Sequence, residues 1–559
     1  MHVRTTLLLA LAACGGVVGP RSPDADVRYT LDLVSGPAPE LRITVATRAA
    51  PGGTTAFEHE TWGGVDATDR VFQDVTARVA GRSVAVDRSE HGWSVHAAAG
   101  TPVALTYVLR PALDRDTTER RFFPMVSAHA IHLFGDNALA YPSYLDDGRR
   151  LAIELRWTGF AEAGWTTLSS CGSGPATVDT DLEAFRDAVF LASDRIAVAR
   201  RTAGGATLVA AVVADAWTFP TDTFADVTAR LMDTESAFFG DAFPKSFLAD
   251  LVPFRVDGFT GGSALHDAFT AQASPRTLTR DQLAGLFAHE LFHNWNGRVI
   301  QPEVDDGEKW FTEGFTSFYA RRLAYRAGLT TLERYRADLD TEIRNYMLSP
   351  ARNASRASAD EAGHAFWQNS DAEQSSYTRG DLVAAVLDVE IRRVSHGRRS
   401  LDDVMRDLLA AAKAGSKVTA DNLLARFARE TSPAFAERLR GVIERGETIE
   451  IDPELYAPCF HGVLRDLPRF DLGFDFQRSQ KAGRVTGLRE GSSAAAAGLR
   501  EGDELVGWSF YNDQVDQTVK MQIKRGTAEQ TVAYAPAGEP VRMVVFERGD
   551  ERTCPSAGL

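Results

Sequence analysis

The sequence predicts a multidomain α+β protein with a β-rich N-terminal part, a mainly helical middle part and a β-rich C-terminal part. Its 559 residues exceed what one hydrophobic core serves, because cores stop growing at roughly 250–300 residues. Apolar residues make up 44% of the chain and charged residues 25%, which is typical of folded globular proteins. The formal net charge of −15 repels phosphates, so we expect no nucleic-acid partner.

Hydrophobic periodicity gives the order of these parts. Residues 27–200 contain stretches that alternate apolar and polar residues between glycine and proline breaks, which predicts strands. Helical patterns dominate residues 201–450, and short strands with glycine turns return in residues 456–552. We therefore expect three domains over these three ranges.

The first residues are typical of a secretory signal. Arg4 precedes an apolar run that is far shorter than the roughly 20 residues needed to span a bilayer. The run ends in LAAC at residues 11–14, which resembles the lipobox of bacterial lipoproteins. The resemblance implies a signal peptide over residues 1–14, lipidation of Cys14 and a lipid-anchored place in the bacterial cell envelope, either periplasmic or outer-membrane. An ordinary cleaved signal is the alternative.

A helix carrying two histidines is predicted in the middle part. Thr279 and Gln282 form a capping box, and the apolar residues that follow have helical spacing. Residues 289–293 read HELFH. His289 and His293 are four residues apart on one helix face, so both imidazoles can reach one metal ion.

Two glutamates complete a candidate catalytic zinc site. Glu290 follows the first histidine and can act as a general base toward water. Glu313 lies nineteen residues beyond His293, early in a second predicted helix, and would complete a His₂Glu ligand set with an open fourth position. We predict one zinc ion per chain. The alternative is that these are ordinary surface residues of two helices.

Residues 290–296 (ELFHNWN) and 310–316 (WFTEGFT) resemble the glycyl aminopeptidase family of bacterial zinc metallopeptidases, which are thermolysin-like gluzincins. Residues 377–380 (YTRG) resemble the family's Tyr-x-Lys-Gly motif at the start of a later helix. The resemblance implies a mainly helical, thermolysin-like catalytic domain in which Tyr377 donates a hydrogen bond to the oxyanion. For Tyr377 alone, core packing is the alternative.

One family motif is incomplete in this chain. The family has a Gly-Gly-x-Glu-His segment whose Glu fits recognition of a substrate amine. Here Gly261 and Gly262 are present, which implies a substrate-binding segment, but no Glu follows. Asp267 is the nearest acidic residue that could substitute for it from a shifted position. The resemblance therefore implies hydrolysis of peptide or protein substrates, aminopeptidase-like, with an endopeptidase as the alternative.

The C-terminal part resembles PDZ domains in two places. Leu472, Gly473 and Phe474 resemble the carboxylate-binding loop, and residues 491–505 resemble the Ala-Gly-Leu-x-x-Gly-Asp signature of bacterial protease PDZ domains. This implies that a C-terminal peptide adds a strand to a sheet edge and is held by loop N–H groups. A module that only packs against the catalytic domain is the alternative. A third interpretation of the chain is a peptide-binding lipoprotein with a vestigial site, although its metal-site motif is intact.

The remaining cysteines are Cys171, Cys459 and Cys554. An exported protein meets an oxidising compartment, which permits a disulfide. Cys459 precedes the PDZ-like region and Cys554 follows it, and domain ends often lie close together. We predict a Cys459–Cys554 disulfide with Cys171 as a free thiol. The alternative is three buried thiols.

Overall fold

The fold is that of a computed structural model, which describes residues 25–549 and residue 554, except 35, 37–38, 61, 64–70, 90, 111–120, 257, 305, 350, 357–358 and 512–513. The predicted signal peptide and Cys14 lie outside the described residues. Within the described part, none of the helices has the length and apolar character needed to cross a membrane. The chain divides into two compact units, Met1–Ile300 with Tyr319–Thr330, and Gln301–Phe318 with Thr331–Leu559.

The first unit begins with strands whose side chains alternate between a core and the surface. Val27, Tyr29 and Leu31 are fully buried, and the residues between them are partly exposed, so the predicted alternation is confirmed here. The strands are β1 Val27–Val34, β2 Glu40–Arg48, β3 Thr54–Glu58, β4 Gln73–Val79, β5 Arg82–Val84, β6 Asp87–Ser89, β7 Gly92–His96, β8 Pro102–Leu109, β9 Met125–Val126, β10 Ala130–Phe134, β11 Tyr141–Pro142, β12 Leu151–Thr158, β13 Thr166–Ser169, β14 Gly172–Ser173, β15 Ala176–Thr180 and β16 Val189–Ser193.

These strands form three sheets, in the orders β15-β12-β1-β2-β8-β4-β5, β14-β13-β16-β10-β9 and β11-β3-β7-β6. Strand β1 pairs antiparallel with β2 and parallel with β12, so it joins segments that are far apart in the sequence. Two short helices, α1 Gly135–Ala138 and α2 Leu182–Arg186, and a 3₁₀ turn at Ser143–Leu145 connect them.

A mixed sheet of five strands follows in the same unit. Its strands are β17 Ile196–Ala203, β18 Ala206–Val213, β19 Ser246–Pro253, β20 Thr260–Leu265 and β21 Ala268–Ala273. Their order is β17-β18-β19-β21-β20. Strand β20 is therefore at an edge, where it pairs only with β21. Strand β17 spans residue 200, so this sheet begins shortly before the boundary expected there.

Two helices of this unit pack against each other. They are α3 Thr221–Phe239 and α4 Arg280–Phe292, and the rings of Phe224 and Phe287 meet edge to face with their centroids 4.8 Å apart. The predicted capping box at Thr279 is confirmed, because its side chain and that of Gln282 each accept a hydrogen bond from the other residue's backbone N–H.

The second unit contains most of the helices. They are α5 Lys309–Thr312, α6 Gly314–Arg326 (which continues into the first unit at Tyr319), α7 Leu332–Leu348, α8 Ala359–Gln368, α9 Ser370–Val394, α10 Leu401–Lys413, α11 Ala420–Glu430 and α12 Pro433–Glu444. Ser400 is the N-cap of α10, and Pro433 occupies the first position of α12. Gly415 and Gly446 follow α10 and α12 with positive φ, as expected for helix ends.

The C-terminal region of the second unit is a small β module. Its elements are β22 Phe460–Phe470, α13 Phe476–Ala482, α14 Ser493–Ala496, β23 Glu504–Ser509, β24 Val519–Arg525, β25 Ala528–Tyr534 and β26 Ala537–Arg548. Strands β22 and β26 pair antiparallel, and β23, β24 and β25 form a separate sheet. A disulfide joins Cys459 and Cys554, whose Cα atoms are 4.6 Å apart, and Cys171 is a free thiol.

Candidate metal centre

Helix α4 presents the two histidines of the HELFH segment. Leu283, Phe287 and Leu291 are fully buried and fix the face of the helix that packs into the core. His289 and His293 are only partly buried, and their Nε2 atoms are 3.1 Å apart. Two nitrogens bound to one tetrahedral zinc ion at ~2.0–2.1 Å would lie roughly 3.3–3.4 Å apart, so this separation fits a shared ion.

The tautomer of His293 is set by a backbone contact. Its Nδ1 lies 2.9 Å from the carbonyl oxygen of Asn296, and a carbonyl oxygen can only accept. Nδ1 therefore carries the proton, and in the neutral ring Nε2 keeps its lone pair for a metal. A backbone carbonyl in this position is a common outer partner of a ligating histidine.

Glu313 lies at the junction of helices α5 and α6. One ligand atom from each of His289, His293 and Glu313 lies within 4.8 Å of the others. Two imidazole nitrogens and one carboxylate oxygen are a donor set that suits zinc in a catalytic site. Further along α6, Tyr319 stacks on Phe292 of α4, with ring centroids 4.9 Å apart and an interplanar angle of 12°.

Glu290 lies directly against the edge strand β20. Its side chain is buried, and a Cβ added at Gly262 would be 2.5 Å from both Cγ and Oε1 of Glu290. A Cβ at Gly261 would instead meet the ring of Phe259 at 2.9 Å, because successive residues of a strand face opposite sides. Only glycine at position 262 thus lets the strand pass so close to this carboxylate.

The acidic residue missing from this strand is not replaced by Asp267. Position 264, which shares a face with Gly262, is Ala264. Asp267 lies in the turn between β20 and β21 with φ of +53°. It is five residues from Gly262, which corresponds to ~16 Å along an extended strand. The shifted-position substitution considered from the sequence is therefore unsupported by this fold.

Tyr377 lies inside helix α9, not at its start as the motif suggested. The helix begins at Ser370 because Asn369 caps it, accepting hydrogen bonds from the N–H groups of the first turn. One turn after Tyr377, Gly380 packs on the α5–α6 junction. A Cβ at Gly380 would be 1.8 Å from the carbonyl oxygen of Trp310 and 2.7 Å from Cα of Gly314. This contact, next to Glu313, places half-buried Tyr377 one helical turn away from the ligand segment.

Residues 282–383 match the family model described as M61 glycyl aminopeptidase. This segment contains both histidines, both glutamates and Tyr377. Over this segment the chain is similar to the M61 glycyl aminopeptidase family. It is accordingly a zinc peptidase, and the family expected from the sequence is confirmed.

Solved structures align with a larger part of the chain. An aminopeptidase N family protein from Idiomarina loihiensis aligns with a TM-score of 0.74 at 17% identity, covering 94% of this chain and 98% of that one. An M1 zinc metallopeptidase from Deinococcus radiodurans aligns with a TM-score of 0.48 at 16% identity, covering 76% and 94%. The first likeness shows a shared fold of sheets and helices. No curated protein matches this chain.

The loop predicted to bind a peptide carboxylate, Leu472 to Phe474, is followed by a helix. Gly473 has φ of +81°, its N–H donates to Asp471, and the carbonyl of Leu472 accepts from Tyr534. After Phe474 the chain enters helix α13 and not a strand. The described residues between β23 and β24 contain no helix. Binding of a peptide carboxylate at this loop stays a prediction.

Two further residues of the segment that leads to Glu313 were not predicted from the sequence. Glu308 is buried and accepts hydrogen bonds from Trp310 Nε1 at 2.7 Å and from the N–H of Ala420 at 2.9 Å. Lys309 contacts Glu313 itself, with Nζ 3.0 Å from Oε1. The Lys309–Glu313 spacing of four residues, typical of ion pairs on helices, is the signal that could have identified Lys309.

Proposed function

We propose that this protein hydrolyses peptide bonds as an aminopeptidase-like enzyme with one zinc ion per chain, held by His289, His293 and Glu313. The observation that carries the proposal is that one ligand atom from each of these three side chains lies within 4.8 Å of the others. The helix of the two histidines also presents Glu290. When bound there, zinc acts as a Lewis acid toward the peptide carbonyl and toward water.

In this proposal the protein's own residues move the protons. Glu290 takes a proton from the attacking water and passes it to the leaving amine. Tyr377 donates a hydrogen bond to the oxygen of the tetrahedral intermediate. The outer edge of β20, which contains Gly261 and Gly262, can pair with an extended substrate, and Gly262 lies against Glu290.

Replacement of the base tests the mechanism. Glu290→Gln keeps the three proposed ligands, so we expect full zinc content with kcat reduced ~10²–10⁴-fold, the usual contribution of a general base. Glu529→Gln, on an exposed position of β25, is the control and should change neither quantity. Ordinary turnover by zinc-loaded Glu290→Gln would refute the mechanism.

An endopeptidase on the same fold is the second candidate. It is favoured by the absence of an acidic side chain beside Gly262, since a free substrate amine would have no carboxylate partner on that strand. Matched peptides with free and acetylated N-termini separate the two. A marked preference for the free amine supports the aminopeptidase, and equal cleavage supports the endopeptidase. No cleavage of any peptide by the zinc-loaded protein would support the vestigial, peptide-binding alternative.

For the C-terminal module, the proposal from the sequence is a peptide carboxylate bound at Leu472, Gly473 and Phe474. The positive φ at Gly473 is compatible with it. Contacts with helix α7 favour the alternative packing role, because Asp340 and Arg336 hydrogen-bond the N–H and carbonyl of Phe546. Peptides with free and amidated C-termini are the test. Binding that requires the free carboxylate supports the loop, and its absence supports packing alone.

We also propose a lipid anchor at Cys14 and a place in the bacterial cell envelope, on the strength of the LAAC sequence at residues 11–14. The mature protein should then partition into the detergent phase, and Cys14→Ser should release it into the aqueous phase. Aqueous partitioning with Cys14 intact would indicate simple secretion.

A further inference from the structure

A partly buried lysine lies beside the carboxylate proposed as the third ligand. Lys309, the first residue of α5, is only 15% exposed in its side chain, and its Nζ is 3.0 Å from Oε1 of Glu313 and 2.9 Å from Oδ1 of Asp306. An ammonium shielded from water in this way interacts more strongly with its carboxylates than a surface lysine does.

Two aromatic rings cover the same ammonium. Nζ is 4.8 Å from the ring centre of Phe366 and 5.4 Å from that of Trp367, within the range of cation–π attraction. Trp367 also donates a hydrogen bond from Nε1 to Oδ2 of Asp306 at 2.7 Å. This hydrogen bond connects the end of helix α8 to the segment that leads into α5.

We infer that Lys309 is a positioning residue for Glu313, and that it holds this carboxylate in the orientation needed for zinc. The inference rests on the proposed zinc site. A glutamate side chain has several rotamers, and the contact through Oε1 restricts them while Oε2 can still serve a cation. The ring centroids of Phe366 and Tyr377 are 6.0 Å apart. The same lysine therefore also contacts an aromatic residue that packs against the proposed oxyanion donor.

A purely structural role makes a different prediction. An ordinary lysine–glutamate pair four residues apart stabilises a helix by only ~0.2–0.5 kcal/mol and would leave metal affinity unchanged. Outer partners of metal ligands, in contrast, typically change metal affinity by ~10–100-fold when removed. Zinc affinity is therefore the measurement that distinguishes the two roles.

The experiment compares Lys309→Met, which keeps the length of the side chain without its charge, with Lys309→Arg, which keeps the charge. Lys245→Met, at an exposed position, is the control. Zinc dissociation constants of the full-length apoproteins are measured by competition with a chelator of known affinity. We expect ~10–100-fold weaker binding for Lys309→Met, a smaller loss for Lys309→Arg and no change for the control. Zinc binding by Lys309→Met that is as tight as in the wild type, or tighter, would overturn the inference.

Circular dichroism of the apoproteins reports whether each variant folds. If Lys309→Met does not, Trp367→Leu decides, because Trp367 is 36% exposed and its loss removes one ring from the ammonium. Weaker zinc binding by Trp367→Leu then supports the inference, and unchanged binding overturns it. Failure of the wild type to bind zinc would instead refute the proposed function.

Discussion

Replacing Gly262 with alanine tests how tightly the fold positions the proposed base. The added methyl would be 2.5 Å from Cγ and Oε1 of Glu290 and 2.6 Å from its Cδ. Ordinary contacts between such atoms are ~3.5–4.0 Å, so the carboxylate has to retreat by roughly 1 Å. A displacement of that size at a reacting group costs ~10²-fold in rate, or ~2.7 kcal/mol in the barrier.

The assay measures zinc content and kcat/KM of Gly262→Ala on a peptide substrate. We expect full zinc content, because no ligand is touched, and a ~10²-fold lower kcat/KM. Gly52→Ala, at an exposed loop position, is the matched control. A Cβ added at Gly52 has no heavy atom within 4 Å apart from its chain neighbours, so we expect less than a ~3-fold change.

A second substitution separates displacement of Glu290 from obstruction of the substrate. Glu290→Asp shortens the base by one methylene and leaves room for the methyl at position 262. Gly262→Ala should therefore cost much less in the Glu290→Asp background than in the wild type, a non-additivity expected for residues in contact. A zinc-loaded Gly262→Ala enzyme within ~3-fold of wild-type kcat/KM would refute the reasoning, and an equal cost in both backgrounds would assign the effect to substrate binding.

Three further predictions concern other parts of the chain. Tyr377→Phe should lower kcat by ~10²-fold with unchanged zinc content, and an unchanged kcat would make Tyr377 a packing residue. Glu235 is fully buried, and neither carboxylate oxygen has a hydrogen-bond partner among the described residues, so Glu235→Met should raise the free energy of unfolding at neutral pH by ~1–3 kcal/mol. Burial raises the pKa of Glu235 well above its ordinary value of 4.5, so the folded state holds this proton more tightly, and wild-type stability should fall as the pH rises from that value toward the raised pKa. Urea unfolding across this pH range should show this fall in the free energy of unfolding for the wild type and not for Glu235→Met. Loss of the disulfide in a Cys459→Ser, Cys554→Ser double variant should cost up to ~4–5 kcal/mol by the loop-entropy argument, and unfolding curves that coincide with the wild type would contradict it.

The sequence determined the features that depend on neighbours a few residues apart. Thr279 and Gln282 cap the HELFH helix because a capping box is complete within four residues. The spacing of His289 and His293 alone brings their imidazoles to one side of that helix. The ends of α10 and α12 at Gly415 and Gly446 follow from the same local chemistry.

Capping residues that the family motifs do not include set two helix boundaries. After Phe474, Asp475 caps a helix by accepting a hydrogen bond from the N–H of Arg478, and Gly483 ends that helix with φ of +65°. Similarly, Asn369 starts α9 well before Tyr377. Capping groups decide such boundaries, and a motif taken from a family does not contain them.

Only the tertiary structure decided which distant residues support the proposed site. Gly262 lies against Glu290, Gly380 against the segment that carries Glu313, and the rings of Phe366 and Trp367 over Lys309. Each of these contacts joins residues from different elements, and their separation along the chain carries no periodic signal. They are fixed when sheets and helices pack at close range, because a glycine admits another backbone or side chain only where the packed elements meet.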